Sequence, residues 1–292
     1  MTAVRTALKR ARAWGPLNRT ATSALRMVLR HPPEFVAAHM PRVGPVVCRL
    51  PNGRRLRMWS AGDEWVPNRI YWFGWRGYET GESDIFWAQA RTSRITLDIG
   101  AHVGFYSLLA GHANPAGRVF GFEAFGPTAA RFRRNLALND LANVEVVEVA
   151  VGAAVGTAPF FHAPRGIPCS AGLAGDVLLP YNPDAVTTDV AVTTIDTFLD
   201  ERSMRGVDLV KMDTEGSEPH VLEGMAATLA RDRPWVIAEV LGGRDREALL
   251  RHHLDPLGYT MEIIMPGGPR PRDQVDKETG GNFLFVPPSP GR

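Results

Sequence analysis

The 292-residue chain is 45% hydrophobic and 22% charged, proportions of a globular protein that exclude a disordered, collagenous or coiled-coil chain. No apolar run reaches the ~18–20 residues of a membrane span, and Cys48 and Cys169 alone build neither a zinc cluster nor a disulfide framework. No apolar segment with a small-residue cleavage site opens the sequence, so a cytoplasmic protein is expected.

The net charge of +2 conceals an asymmetry. Residues 1–33 carry Arg5, Lys9, Arg10, Arg12, Arg19, Arg26 and Arg30 with no acid, a local +7 that leaves the remainder at −5. Such a basic amphipathic arm suits an anionic membrane surface or nucleic acid, against the simpler reading of a solvated helix face. Lysine occurs only at Lys9, Lys211 and Lys277. That arginine bias fits genomic base composition, so no nucleic-acid partner is expected, and any membrane contact through the arm should be weak and peripheral.

Residues 1–30 read as helix, broken at Gly15-Pro16 and stopped at Pro32-Pro33. VVCRL (46–50), a Pro-Asn-Gly turn and RRLRMW (54–59) read as a β-hairpin. Aromatic residues crowd positions 65–87 and are expected to pack a small N-terminal layer, with a substrate-stacking wall as the alternative. Residues 1–77 are therefore taken as an N-terminal extension of basic helix and hairpin.

From residue 94 strands and helices alternate, the pattern of a parallel sheet covered on both faces. Strands are expected at RITLDIG, RVFGFEA (118–124), VEVVEVAVG (144–152), VDLVKMD and PWVIAEVL (234–241), with an antiparallel pair at YTMEIIM (259–265) and NFLFVP (282–287). The 163–186 loop is longer than compact domains usually carry and is expected to form part of a substrate wall.

Four strand ends carry chemistry. In DIGAHVG, Gly100 permits a tight turn and Gly104 a close helix approach, and exposed helix N–H groups then offer an anion site. A dinucleotide fingerprint places glycine where His102 stands, so a ligand with a single carboxylate fits better. Glu123 ends the next strand, where an acid accepts hydrogen bonds from a ribose diol, and the third strand end, at Ala150, is suited to adenine. Together these features point to S-adenosylmethionine. In KMDTEGSE, Lys211 and Asp213 face one way at the end of a strand. Glu215 and Glu218 follow, with helix capping as their alternative role. A lysine in a strand covered on both faces needs an acidic partner, expected to be Asp213 or Glu239.

These segments resemble the FkbM-type methyltransferases, a branch of the class I S-adenosylmethionine-dependent methyltransferases. DIGAHVGFYSL is similar to that family's first motif, VTTIDTFLDE to its segment before the fourth strand, VDLVKMDTEGSEPHVLEGM to its Lys-x-Asp-x-Glu-Gly-x-Glu run, and RPWVIAEV to its fifth strand. The resemblance spans about residues 78–286 and departs at His102, where the family usually has asparagine. It implies a Rossmann-like α/β fold with a mostly parallel seven-stranded sheet closed by an antiparallel hairpin, in a methyltransferase domain over 78–292. It further implies an O-methyltransferase acting on a hydroxyl of a sugar, glycolipid or natural-product small molecule, so the expected partner is a small-molecule or glycan acceptor. Asp98, Gly100, Ala101, His102, Gly104, Glu123 and Ala150 are assigned to the cofactor. Asp213 is the candidate base, with Lys211, Glu215 and Glu239 around it. No metal is expected, since no ligand spacing or His-rich site is present. Two other functions fit the sequence less well. His102 and the terminal antiparallel pair speak against a nicotinamide-dependent oxidoreductase, and the acidic cluster against a non-catalytic membrane-surface scaffold.

Overall fold

A computed structural model describes residues 15–29, 32–164, 166–167, 170–241, 244–265, 267–275 and 281–288. Of the helix expected over residues 1–30, the first half lies outside these, as does Cys169. The described part is α1 (Gly15–Val28), whose first turn holds Pro16, a position where proline is tolerated. A short α2 (Glu34–His39) follows. The expected hairpin forms from β1 (Gly44–Arg49) and β2 (Arg55–Ser60), with Cys48 opposite Leu56. Its inward side chains Val46, Leu56 and Met58 join Tyr71, Trp72, Trp75, Phe86 and Trp87 in one cluster. Most of the crowded aromatics are thus core, carried on α3 (Trp65–Phe73) and α4 (Glu82–Ala90).

The main sheet contains β3 (Ile95–Ile99), β4 (Arg118–Phe122) and β5 (Val144–Val147). Three further strands, β6 (Ala150–Val151), β7 (Gly156–His162) and β8 (Val186–Thr193), form a separate small sheet. The main sheet then resumes with β9 (Val207–Met212), β10 (Trp235–Val240), β11 (Thr260–Met265), β12 (Gly268–Pro271) and β13 (Gly281–Val286). Its order is β12-β11-β13-β10-β9-β3-β4-β5. Strands β10, β9, β3, β4 and β5 run parallel, and β13 lies antiparallel between β10 and β11. Helices α5 (Phe105–Ala113) and α6 (Gly126–Ala137) follow β3 and β4.

Three expectations change. The sheet has eight strands, not seven, because Gly268–Pro271 pairs with β11; its prolines are admissible only on such an edge. The terminal strands are therefore not a simple hairpin. The strand expected over 144–152 divides, with Val149 N–H donating to the Val147 carbonyl, and β6 leaves the main sheet to pair with β8. Behind Gly216 the chain forms two short helices, α7 (Glu218–Glu223) and α8 (Ala226–Asp232). At the break, a Cβ on Gly224 would lie 2.0 Å from the Gly152 carbonyl oxygen.

Chain order reverses between β3 and β9, so a crevice opens above their C-terminal ends, where open α/β sheets hold ligands. No helix among the described residues is long and apolar enough to cross a membrane.

Gly104 tests the packing beneath that crevice. It opens α5 at φ +89, and a Cβ there would sit 2.0 Å from Phe132 Cδ2. Gly104→Ala is expected to lower the unfolding free energy by about 2–4 kcal/mol through overpacking and left-handed strain. Denaturant unfolding at constant m-value checks this, and a loss below ~1 kcal/mol contradicts it.

Candidate active site

A cavity of about 190 Å³ occupies the crevice. Gly100, at the end of β3, turns at φ +81, and a Cβ on it would lie 1.9 Å from the Asp213 carbonyl oxygen. Only glycine lets the two loops meet. The Gly100 and Ala101 N–H groups both donate to the Phe122 carbonyl, and Asp213 N–H donates to the Ile99 carbonyl. The first and third motifs are therefore joined by backbone contact.

Glu123 ties the next loop to the first. Its Oε2 accepts from His102 N–H at 3.0 Å and its Oε1 from Phe125 N–H at 2.8 Å. Burial pushes its carboxyl up to about 8, against the pull of those two amides. His102 holds φ +50, a region in which asparagine and histidine are both enriched. The departure from the family's usual asparagine is thus conformationally mild. Beyond Glu123, Phe125 stacks on Phe160 at 6.2 Å and 13° and leans on His162. With Val149 and Ala150 these rings make an apolar slot along the cavity.

Of the residues assigned to the cofactor, Gly100, His102, Glu123 and Ala150 line the cavity, whereas Asp98, Ala101 and Gly104 do not. Asp98 is buried and accepts from the Ser107 N–H and hydroxyl at 2.8 and 2.6 Å, so it anchors α5. Burial pushes its carboxyl up to about 6.

The acidic floor comes from β9 and β10. Asp213, Glu215 and Glu239 each bring a carboxylate oxygen to within 4.8 Å of the others. Burial and the Asp213 charge push Glu239 up to about 10, and the two share a hydrogen bond. Burial and the same neighbour push Glu215 up to about 7. Three carboxylates at that spacing also have the chemistry to hold a hard cation, a possibility that sequence spacing did not signal. Glu218 instead secures the turn that precedes its helix: its Oε1 accepts from the Thr214 N–H and hydroxyl, both at 2.8 Å.

Lys211 lies fully buried beneath Asp213. Asp213, one of its two expected partners, lies within ion-pair distance, with Oδ2 3.9 Å from Nζ. The nearer acid is one not expected, Glu82 on α4, whose Oε1 is 3.0 Å away. Burial disfavours the ammonium, but Glu82, Glu79, Asp213 and Glu239 outweigh it and raise its pKa. Glu79 was also missed. It lines the cavity at φ +46 and accepts from the Tyr106 hydroxyl at 2.6 Å. Burial and Glu82 push it up to about 8. The only sequence signal for these two acids was their place within the aromatic run, at its edge against the first motif.

A sequence model of the family described as "Methyltransferase FkbM domain" matches residues 98–262, more than half of the chain. The chain belongs to the FkbM methyltransferase family. Members of this family use S-adenosylmethionine as methyl donor, and this assignment sets aside the nicotinamide reading. Methyltransferase sdnD of Sordaria araneosa is 26% identical over 163 residues, 47% of this chain and 62% of that protein. The chain thus matches less than two thirds of that relative's length. Among solved structures, methyltransferase FkbM from Methylobacillus flagellatus KT is 17% identical, with TM-score 0.43 over 66% of this chain and 44% of that one. The O-methyltransferase from Bacillus cereus is 16% identical, with TM-score 0.40 over 70% and 80%.

Two outcomes follow for this FkbM-family site. Lys211→Met strands the Glu82 carboxylate in the core and should cost roughly 3–5 kcal/mol, most of which Glu82→Gln in the same chain should restore. Urea unfolding of the single and double variants decides it; an additive double variant removes the pair from the account.

The second concerns pH. Glu79, Glu123 and Glu215 hold their protons in the folded chain to about 8, 8 and 7, against 4.5 for an ordinary glutamate. Their contribution is complete below about 4.5 and is lost as pH rises through about 7–8. Thermal stability should therefore fall between about pH 5 and 8.5. Glu79→Gln keeps an acceptor for Tyr106 but has no proton to lose, so it should flatten that slope; an unchanged slope contradicts the assignment.

Proposed function

We propose that this chain is an S-adenosylmethionine-dependent O-methyltransferase acting on a hydroxyl of a sugar, glycolipid or natural-product small molecule. The observation that carries this reading is the carboxylate set of Asp213, Glu215 and Glu239 on the cavity floor, packed against the Gly100 turn. The cavity fits the donor in three respects. The Gly100 cradle admits a close backbone approach, Glu123 presents a carboxylate at a strand end, and the slot between Phe125 and Ala150 suits an adenine ring. The acidic floor also favours a cationic ligand. When bound, S-adenosylmethionine supplies a methyl group on a sulfonium, activated for in-line displacement.

The chain's own residues then have separable tasks. Gly100 and His102 would border the amino-acid end of the donor, and Glu123 would accept from the ribose hydroxyls. Glu239, held protonated, donates to Asp213 and leaves that side chain as acceptor. Asp213 orients the acceptor hydroxyl and takes its proton as the oxygen gains the methyl group, the role of a general base. Lys211, 3.9 Å away, holds the Asp213 carboxylate in place. A floor of carboxylates accepts hydrogen bonds from neutral polyols and repels anionic acceptors, which supports a hydroxyl-rich substrate.

Turnover of labelled methyl donor over a panel of sugars, glycolipids and polyketide-like alcohols tests the reading, alongside calorimetry with S-adenosylhomocysteine. Asp213→Asn keeps the size but takes no proton, so turnover should fall ~10²–10⁴-fold with cofactor affinity held within about threefold. Glu239→Gln retains a donor and should lose far less. Joint loss of affinity and turnover in Asp213→Asn would move that residue to the cofactor site.

A further inference from the structure

Helix α1 is amphipathic in the opposite sense to an ordinary surface helix. Its buried residues are Asn18 and Thr22. Asn18 Nδ2 donates to the Pro41 carbonyl at 2.8 Å, and Asn18 Oδ1 accepts from Val43 N–H at 2.8 Å. Arg42 Nη1 donates to the Thr22 and Ser23 hydroxyls and to the Arg19 carbonyl. Only Leu25 adds an apolar contact to the core from this face.

An apolar stripe runs along the exposed side of the helix, beside the exposed Arg19, Thr20 and Ser23. Leu17, Ala21, Ala24 and Val28 are exposed, and their spacing of four, three and four residues places them on one stripe. Met27 flanks it; Met27 and Val28 are 80% and 79% exposed, Leu17 52%. Phe35 follows on α2 at 70% exposure. Glu34 beside it pairs with Arg69, whose guanidinium lies 5.4 Å from the half-exposed Trp65 ring. An indole at that edge suits a membrane interface.

We infer that α1 is an interfacial helix that seats this chain on an anionic lipid surface, with Leu17, Val28 and Met27 entering the headgroup boundary and Phe35 beside them. Charge decides the occupant. Residues 1–33 carry seven basic residues and no acid. A second copy on this face would oppose like charges, whereas an anionic bilayer meets both the apolar stripe and its basic flanks. Polar docking of the inward face leaves the apolar side chains available for that boundary. This inference is independent of methyl transfer.

The test is flotation of the full chain with vesicles of mixed phosphatidylglycerol and phosphatidylcholine, with pure phosphatidylcholine vesicles beside them and gel filtration across concentration. The expected result is binding to the anionic vesicles alone, weakening steeply as salt shortens the screening length. A Leu17→Glu, Val28→Glu variant should reduce that partition on the order of tenfold or more, with unchanged thermal unfolding and S-adenosylhomocysteine affinity. Four results would overturn it: no vesicle binding, equal binding to neutral vesicles, anionic binding that survives the double substitution, or a dimer that the same substitution dissolves.

Discussion

Lys211 is an ammonium without water, enclosed in β9 at the centre of the sheet, and the placement of several other groups depends on how it is neutralised. Removing such an ion from solvent costs several kcal/mol, which only a close counter-charge offsets. Glu82 supplies it from α4, so the N-terminal layer is held at a defined distance from the sheet by an ion pair as well as by aromatic packing. Tyr106 of α5 covers the same ammonium, 5.3 Å from ring centre to Nζ. One cation thus joins α4, α5 and β9, two residues before Asp213. A well-packed hydrophobic pair at positions 82 and 211 together would be about as stable, because buried pairs roughly break even. What the pair adds is a fixed orientation for the carboxylate above it.

That lysine is outnumbered. Glu79, Asp213, Glu215 and Glu239 all line the cavity, and burial together with their mutual repulsion raises Glu79, Glu215 and Glu239 to about 8, 7 and 10. Such a floor retains protons that ordinary carboxylates lose. A cationic ligand would take over the neutralising role of those protons, so its binding should be coupled to proton release. The sulfonium of the family's methyl donor has that charge.

The strand ends were legible in the sequence because periodicity and glycine placement are local properties. Gly100, Glu123, Ala150, Asp213 and Glu239 were all placed at ends of strands, and the cavity gathers them. What the sequence concealed arises from contacts between distant segments. Glu82 and Glu79 carry no local signal of their own, and only the fold sets them against Lys211 and Tyr106. Gly104 read as part of a ligand loop, yet the Phe132 ring is what excludes a Cβ there. Gly268–Pro271 reads as a loop by composition, and only the free edge of β11 makes it a strand. The 163–186 segment was expected at the substrate wall, and its Ala171, Gly172 and Leu173 do line the cavity.

Glu123 shows how the two kinds of information meet. Position at a strand end marks it as an acceptor, but the geometry adds that both its oxygens are already engaged by backbone N–H groups, from His102 and from Phe125. Protonated up to about pH 8, the carboxyl group keeps one acceptor position on its carbonyl oxygen and one O–H donor for ligand hydroxyls. The amides fix the carboxylate plane before any ligand arrives and reduce the ordering that binding would otherwise require. They also explain the left-handed backbone at His102, which aims that N–H at Glu123. The constraint therefore falls on the main chain at position 102. A histidine can meet it as an asparagine does, while the glutamate can be exchanged only for a group that accepts from both amides.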